Sequence, residues 1–136
     1  MTANATRKLI RAYYDRFNAH DAEGFLALLS ANVVHDISQG ASEKGKARFA
    51  KFIAHMDACY RERVSALAIM VDADGRRAAA EFRLDGKYIE TDGDFCRAKG
   101  QRYRLRVGAF FEIKGGRITR VSNHYNFKDW LRQVDR

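Results

Sequence analysis

The 136-residue sequence has an ordinary globular composition, with 46% apolar and 31% charged residues and a net charge of +8. This apolar content is not typical of a disordered chain, and no apolar run approaches the roughly 20 residues of a membrane helix. The two cysteines, Cys59 and Cys96, form no CxxC pair, and the four histidines show no HxH or HxxxH spacing. We therefore predict one cytoplasmic domain over residues 1–136, with no metal or other cofactor.

The positive charge is spread among acidic residues along most of the chain, which is typical of a solvated surface rather than a nucleic-acid site. The exception is the group Arg102, Arg104 and Arg106, which alternate along one predicted strand. Two interpretations are open. The stripe covers the solvated or dimer-facing side of a sheet, with acidic partners such as Glu81 or Glu112, or it binds an anionic ligand.

Three helices are predicted in the first half of the chain. Apolar residues at helical spacing indicate an amphipathic helix from about Thr6 to Asn18. Asp21 is the predicted N-cap of a second helix that continues to Leu29. A short β-branched strand over 33–37 follows, and a third helix begins after Gly45. Its apolar stripe consists of Phe49, Phe52, Ile53 and Met56.

The second half of the chain has the pattern of an antiparallel meander followed by a short helix. The predicted strands cover residues 61–71, 77–84, 87–91, 103–113 and 117–127. A turn at Asp85-Gly86 separates the second strand from the third, and a polar loop over 92–100 precedes the fourth. Helices followed by antiparallel strands predict an α+β fold in which the helices cover one face of the sheet.

Three stretches resemble the nuclear transport factor 2-like superfamily, and within it the ketosteroid isomerase-related and SnoaL-like polyketide cyclase branch. The first runs from Asn18 to His35-Asp36, the second is the helix that Gly45 opens, and the third runs from Gly108 to Tyr125. The resemblance implies a cone-shaped α+β barrel, in which a curved antiparallel or mixed sheet wraps around N-terminal helices and encloses a hydrophobic pocket. It also implies a small hydrophobic organic ligand and a homodimer formed through the sheet.

The ketosteroid isomerase pattern has three functional positions that can be matched to this sequence. That chemistry needs a carboxylate base and an oxyanion hole formed by a tyrosine and a protonated acid. Tyr13 matches the oxyanion tyrosine. The base position falls on Ile37, with Asp36 one residue earlier, and the second acid falls on Gly108. Because a shift of one residue on a strand reverses the side chain's face, steroid isomerisation by that mechanism is not expected.

The pair His35-Asp36 is the leading catalytic candidate, because an imidazole titrates near neutral pH and a carboxylate can orient it or act as the base. Alternation places the two side chains on opposite faces, so if His35 lines the pocket Asp36 anchors the loop that follows. The second catalytic candidate is His124, which shares a strand face with Asn126, while Tyr125 points to the other face.

The predicted substrate contacts are aromatic, apolar and polar residues near these candidates, each of which also has a purely structural interpretation. They are Tyr13, Ile37, Phe52, Tyr88, Phe110 and Asn126. Together with the catalytic candidates they predict a cofactor-independent acid–base enzyme of the isomerase, cyclase or dehydratase type, acting on a hydrophobic carbonyl or polyketide-like compound. The alternative is a non-catalytic ligand-binding or dimeric interaction module on the same fold. The two hypotheses differ in whether the candidate side chains face one cavity.

Overall fold

The computed structural model describes residues 2–136, which form four helices and six strands. The helices are α1 (Ala3–Asn18), α2 (Ala22–Ala27), α3 (Lys46–Cys59) and α4 (Phe127–Val134). The strands are β1 (Leu29–Asp36), β2 (Ser42–Lys44), β3 (Tyr60–Val71), β4 (Arg77–Tyr88), β5 (Gln101–Lys114) and β6 (Arg117–Tyr125). Within residues 2–136, no helix is both long and apolar enough to cross a membrane.

All six strands belong to one sheet with the order β2-β1-β6-β5-β4-β3. Neighbouring strands are antiparallel except β1 and β6, which are parallel. Alternate residues of β5 from Tyr103 to Ile113 are buried, and the residues between them are exposed or half-buried, as the sequence pattern predicts. The sheet curves around the N-terminal helices, so the predicted cone-shaped α+β fold is confirmed.

Polar side chains cap the start of three helices, and Thr2 does so for α1. Asp21 is the N-cap of α2, as predicted, because its Oδ1 accepts a hydrogen bond from Gly24 N–H at 2.9 Å. Asn126 begins α4 in the same way, and its Oδ1 accepts from Asp129 N–H at 3.1 Å. The side chain of Asn126, predicted to contact a substrate, is therefore used at the start of a helix.

Helix α1 lies along the free edge of β3, and its side chains bond to the backbone of that strand. The Asn18 amide accepts from Val64 N–H at 2.8 Å and donates to Val64 O at 2.9 Å, as the backbone of a neighbouring strand would. Arg7 donates to Ile69 O at 2.6 Å. The edge of the sheet is thus covered by a helix rather than left open to solvent.

The turn predicted at Asp85-Gly86 is wrong, because β4 runs unbroken from Arg77 to Tyr88. Gly86 faces Tyr103 on β5, and a Cβ built on this glycine would lie 2.1 Å from the Cζ of that tyrosine. Here the glycine makes room for an aromatic ring on the next strand and does not form a turn.

The chain leaves α2 earlier than predicted and enters the sheet sooner. The helix ends at Ala27 rather than Leu29, because Leu29 pairs with Ile118 and the preceding Leu28 O accepts from Ile118 N–H at 3.0 Å. The short strand β2, which pairs with the end of β1, is not predicted by the sequence pattern.

The outer face of the sheet is charged at one end and apolar near its middle. Arg106 contacts Glu81 at 2.8 Å and Arg104 contacts Asp85 at 2.7 Å, so two arginines of the stripe have acidic neighbours on β4. Beside them Phe110 is exposed over 56% of its surface.

Candidate functional site

A cavity of about 670 Å³ lies between the inner face of the sheet and helices α1, α3 and α4. The volume is within the range of roughly 300–1,000 Å³ that is typical of small-molecule sites. Aromatic rings from both layers form much of its wall. They include Tyr13, Phe17, Phe49, Phe52, Tyr60, Phe82, Tyr125 and Trp130.

His35 lines this cavity from β1 and is almost completely buried. Its ring stacks on Phe49 with a centroid distance of 4.2 Å and meets Phe52 nearly edge-on at 4.6 Å. Burial lowers the pKa of His35, so the imidazole is neutral at pH 7. Its Nδ1 has no hydrogen-bond partner within residues 2–136. The imidazole therefore keeps a hydrogen-bonding group that no protein atom uses.

Asp36 lies on the opposite face of β1, and the structure does not bring it together with His35 in the cavity. Its carboxylate accepts hydrogen bonds from the hydroxyls of Ser42 on β2 and Ser122 on β6, both at 2.5 Å. Arg120 Nε donates to the same group at 2.8 Å. The Arg120 contact and these hydroxyls hold the pKa of Asp36 far below its ordinary value. Asp36 thus ties three strands together, and it does not anchor the loop after β1.

Glu62 on β3 lines the cavity, and the sequence analysis missed it. Its Oε2 accepts a hydrogen bond from the Tyr103 hydroxyl at 2.5 Å. Burial raises the pKa of Glu62 to about 7, and the hydrogen bond from Tyr103 opposes this effect only in part. The carboxyl therefore changes its protonation state near neutral pH, as a general acid or base requires.

One signal in the sequence points to Glu62. On a strand with alternating faces, Glu62 shares a face with Tyr60 and Val64, and both of these residues are buried. A carboxylate between two buried residues of one strand face is uncommon unless it is paired or functional. The ketosteroid isomerase pattern places no acid on this strand, which explains why the residue was not considered.

Three of the predicted substrate contacts lie in the cavity wall, namely Tyr13, Ile37 and Phe52. Tyr13 is buried, and burial raises the pKa of its phenol well above the ordinary value, so the hydroxyl stays protonated. On β6 the cavity is lined by Asn123 and Tyr125, which alternate with the predicted His124.

Besides Asp36 and Asn126, three predicted residues lie outside the cavity lining. His124 and Phe110 contact each other on the outer face of the sheet, with ring centroids 5.6 Å apart. Tyr88 is completely buried, and its hydroxyl donates to Cys96 O at 2.8 Å and accepts from Asp92 N–H at 2.9 Å. Tyr88 therefore holds the polar loop in place beneath the surface rather than contacting a ligand in the cavity.

Comparisons with known proteins agree with this fold. The SnoaL-like domain family matches residues 10–121 of the chain. A structure of a proposed polyketide cyclase from Pseudomonas putida KT2440 is 53% identical, has a TM-score of 0.94 and covers 98% of both chains. Another proposed polyketide cyclase, from Xanthomonas campestris pv. campestris, is 40% identical, has a TM-score of 0.95, and the match covers 97% of this chain and 98% of that one. No curated protein matches significantly.

A more distant structure is that of a proposed ketosteroid isomerase from Kribbella flavida DSM 17836, which is 29% identical with a TM-score of 0.66 over 93% of this chain and 82% of that one. The curved sheet, its covering helices and the cavity between them define a cone-shaped protein of the nuclear transport factor 2-like superfamily. Within that superfamily the chain belongs to the SnoaL-like domain family, as its sequence predicts.

Proposed function

We propose that this chain is a cofactor-independent acid–base enzyme that acts on an uncharged, largely apolar carbonyl compound, with Glu62 as the proton-accepting group. The observation that carries the proposal is a carboxyl in an aromatic cavity whose pKa is raised to about 7 by burial. Such a group is partly ionised at neutral pH and is basic enough to remove a proton from a carbon beside a carbonyl. The similarity to two proposed polyketide cyclases agrees with a reaction of this type.

In the proposed reaction, ionised Glu62 accepts a proton from the carbon next to the substrate carbonyl, and the C–H electron pair moves toward the carbonyl oxygen to form an enolate. Hydrogen-bond donors that line the cavity stabilise the charge on that oxygen, and the Tyr13 hydroxyl and the Asn123 amide are the candidates. In an isomerisation, Glu62 returns the proton to a different carbon. In a cyclisation, the enolate carbon attacks a second carbonyl of the same molecule, and the resulting alkoxide takes the proton back.

His35 has a binding role in this proposal. A neutral imidazole that lines the cavity and stacks on Phe49 can hydrogen-bond to a polar end of the ligand. Asp36 and His124 have no part in the reaction, because their side chains lie on the outer side of the sheet.

The cavity favours an uncharged ligand although the chain carries a net charge of +8. Within residues 2–136, Arg16 is the single arginine or lysine in the cavity lining, and it is paired with Asp21 at 3.0 Å. An anionic ligand would meet Glu62 and Asp92 without a free cation to balance its charge, which is unfavourable in an aromatic cavity.

The proposal is tested first by a thermal-shift screen of uncharged aromatic and polycyclic ketones, each paired with a carboxylate analogue of the same shape. Compounds that stabilise the protein are then assayed for turnover with wild-type protein and with Glu62→Gln. We expect the variant to bind these compounds but to lose about 100-fold or more in kcat. For the wild type, kcat/KM should rise with pH through a midpoint near 7. The matched control is Glu81→Gln on the outer face.

If Glu62→Gln turns over the substrate as fast as the wild type, Glu62 is not the base. Tight binding of ketones with no turnover by the wild type contradicts the enzyme proposal and supports a non-catalytic binding module instead.

We also propose that two copies of the chain associate through the outer face of the sheet. Met70, Ala79 and Phe110 form one row across β3, β4 and β5, and the two large side chains are 50% and 56% exposed. Exposed apolar side chains grouped on a sheet face are typical of a protein interface. Light scattering should give the mass of a dimer for the wild type and of a monomer for Phe110→Glu, whereas Ile89→Glu should remain dimeric. A monomeric wild type, or a dimer unaffected by Phe110→Glu, contradicts this assembly.

A further inference from the structure

Three side chains with metal-binding atoms meet where the end of α3 contacts the segment after β4. They are His55, Cys59 and Asp92, and one ligand atom from each lies within 4.8 Å of the others. In this His55/Cys59/Asp92 cluster, His55 and Asp92 line the same cavity as Glu62, but the reaction proposed above gives the cluster no role.

The local structure explains why the three residues converge. His55 and Cys59 are four residues apart on α3, so they lie on the same face of the helix. The carbonyl of Cys59 accepts hydrogen bonds from Ile89 N–H at 2.9 Å and from Glu90 N–H at 3.2 Å. These bonds hold the following segment against the helix end and bring Asp92 to the two helical side chains.

The Tyr60 hydroxyl orients the Asp92 carboxylate toward His55. Its Oδ2 accepts from the Tyr60 hydroxyl at 2.6 Å, which leaves Oδ1 at 2.7 Å from His55 Nε2. The backbone N–H of Asp92 donates to the Tyr88 hydroxyl at 2.9 Å. Hydrogen bonds of this kind, from a second group to a ligating carboxylate, accompany metal sites in proteins and strengthen them.

We propose that His55 Nε2, the Cys59 thiolate and Asp92 Oδ1 bind a divalent ion of the zinc type. Imidazole nitrogen, thiolate and carboxylate oxygen are the three ligands that zinc prefers, whereas magnesium and calcium avoid thiolate. The ion takes the place of the hydrogen bond between His55 and Asp92, and the Cys59 thiol releases its proton on binding. His55 is 53% exposed, so an ion can enter from solvent, and a fourth ligand position remains for water.

The charges around the cluster favour a cation and make its binding depend on pH. Burial, together with Asp92 and Glu90, raises the pKa of the Cys59 thiol, so the thiol is protonated without the ion. Because the thiol must lose this proton to bind the ion, the affinity should increase as the pH rises. A bound ion would link α3 to the segment that carries Phe95, another residue of the cavity wall.

The experiment titrates chelator-treated protein with Co²⁺ and Zn²⁺, the first followed by absorption and the second by calorimetry. We expect one equivalent to bind, with the near-ultraviolet thiolate-to-cobalt band and the visible bands of a tetrahedral site. Cys59→Ser should abolish the thiolate band, and His55→Ala should abolish the tetrahedral bands. Tyr60→Phe should weaken binding by about 10- to 100-fold. Cys96→Ser is the matched control and should bind like the wild type.

His55 is on the surface, so His55→Ala tests the site even if Cys59→Ser does not fold. No binding of either ion by the wild type, a thiolate band that survives in Cys59→Ser, or a band lost in Cys96→Ser overturns the proposal. Each of these results leaves the Glu62 reaction untouched, because that reaction is tested by turnover of ketones without added metal.

Discussion

Replacement of Glu62 by glutamine should stabilise the protein at high pH while it removes the proposed base. In the folded protein the carboxyl keeps its proton until the pH approaches about 7, whereas in the unfolded chain its pKa is near the ordinary value of 4.5. Below pH 4.5 the carboxyl is protonated in both states, so it does not lower the free energy of unfolding. As the pH rises from 4.5 through 7, the unfolded chain loses its proton first, and the folded state loses stability relative to it.

The size of the effect follows from the two pKa values. Their difference is about 2.5 units, and each unit corresponds to about 1.36 kcal/mol, so the ionised carboxyl lowers the free energy of unfolding by about 3 kcal/mol at pH 8. Glutamine cannot ionise, and its carbonyl oxygen can still accept the hydrogen bond from Tyr103. For a domain of this size, the variant should melt about 10 °C higher than the wild type at pH 8.

The assay is urea unfolding of the wild type, Glu62→Gln and the control Glu81→Gln at pH 5 and pH 8. The free energy of unfolding of Glu62→Gln, relative to the wild type, should increase by about 2–3 kcal/mol from pH 5 to pH 8. Glu81→Gln should show no such increase. If the free energies of unfolding of Glu62→Gln and the wild type differ by the same amount at both pH values, the carboxyl is solvated and its pKa is not raised. Glu62 is then not a base whose pKa is raised by burial.

Four further substitutions test the structure of the sheet by thermal and urea unfolding. Gly86→Ala should lower the free energy of unfolding by about 2–3 kcal/mol or more, because its Cβ would overlap the Tyr103 ring. Gly108→Ala has open space around the new atom and should stay within about 1 kcal/mol of the wild type. Equal losses in the two variants would contradict this packing. Asp36→Asn should lower the free energy of unfolding by about 1–3 kcal/mol at pH 7. The wild type loses the contribution of this carboxylate as the pH falls below 3.8, and the variant should not show that loss. An unchanged acid transition would contradict the lowered pKa of Asp36. Ala66→Gly should gain up to about 1 kcal/mol, because the alanine has a φ of 53°, and a loss would show that its methyl group matters more than backbone strain.

Much of the fold is predictable because its signals are local. The alternation along β5 from Tyr103 to Ile113 reflects a strand with one buried face, and that pattern survives in the structure residue by residue. The same rule correctly separates His35 from Asp36, since adjacent residues of a strand point to opposite sides. The boundary errors occur where a distant strand decides the outcome, as at Leu29, which joins the sheet through a parallel partner almost 90 residues later.

The candidate site is less predictable because it depends on distances between strands. Glu62 reaches the Tyr103 hydroxyl across β4, and nothing near either residue in the sequence specifies that approach. The His55/Cys59/Asp92 cluster was missed for a simpler reason. Its helical pair combines a histidine with a cysteine, and a search for histidine pairs does not detect this combination.

The contact between Asn18 and Val64 affects whether other chains can pair with the edge of the sheet. A side-chain amide occupies the two backbone groups that would otherwise be available to an incoming strand, and Arg7 occupies another farther along. The register shift between Ser65 and Ala68 interrupts the same edge. Of the two edge strands, β2 and β3, the longer β3 therefore offers no continuous template for pairing with a foreign chain, which protects this edge from aggregation.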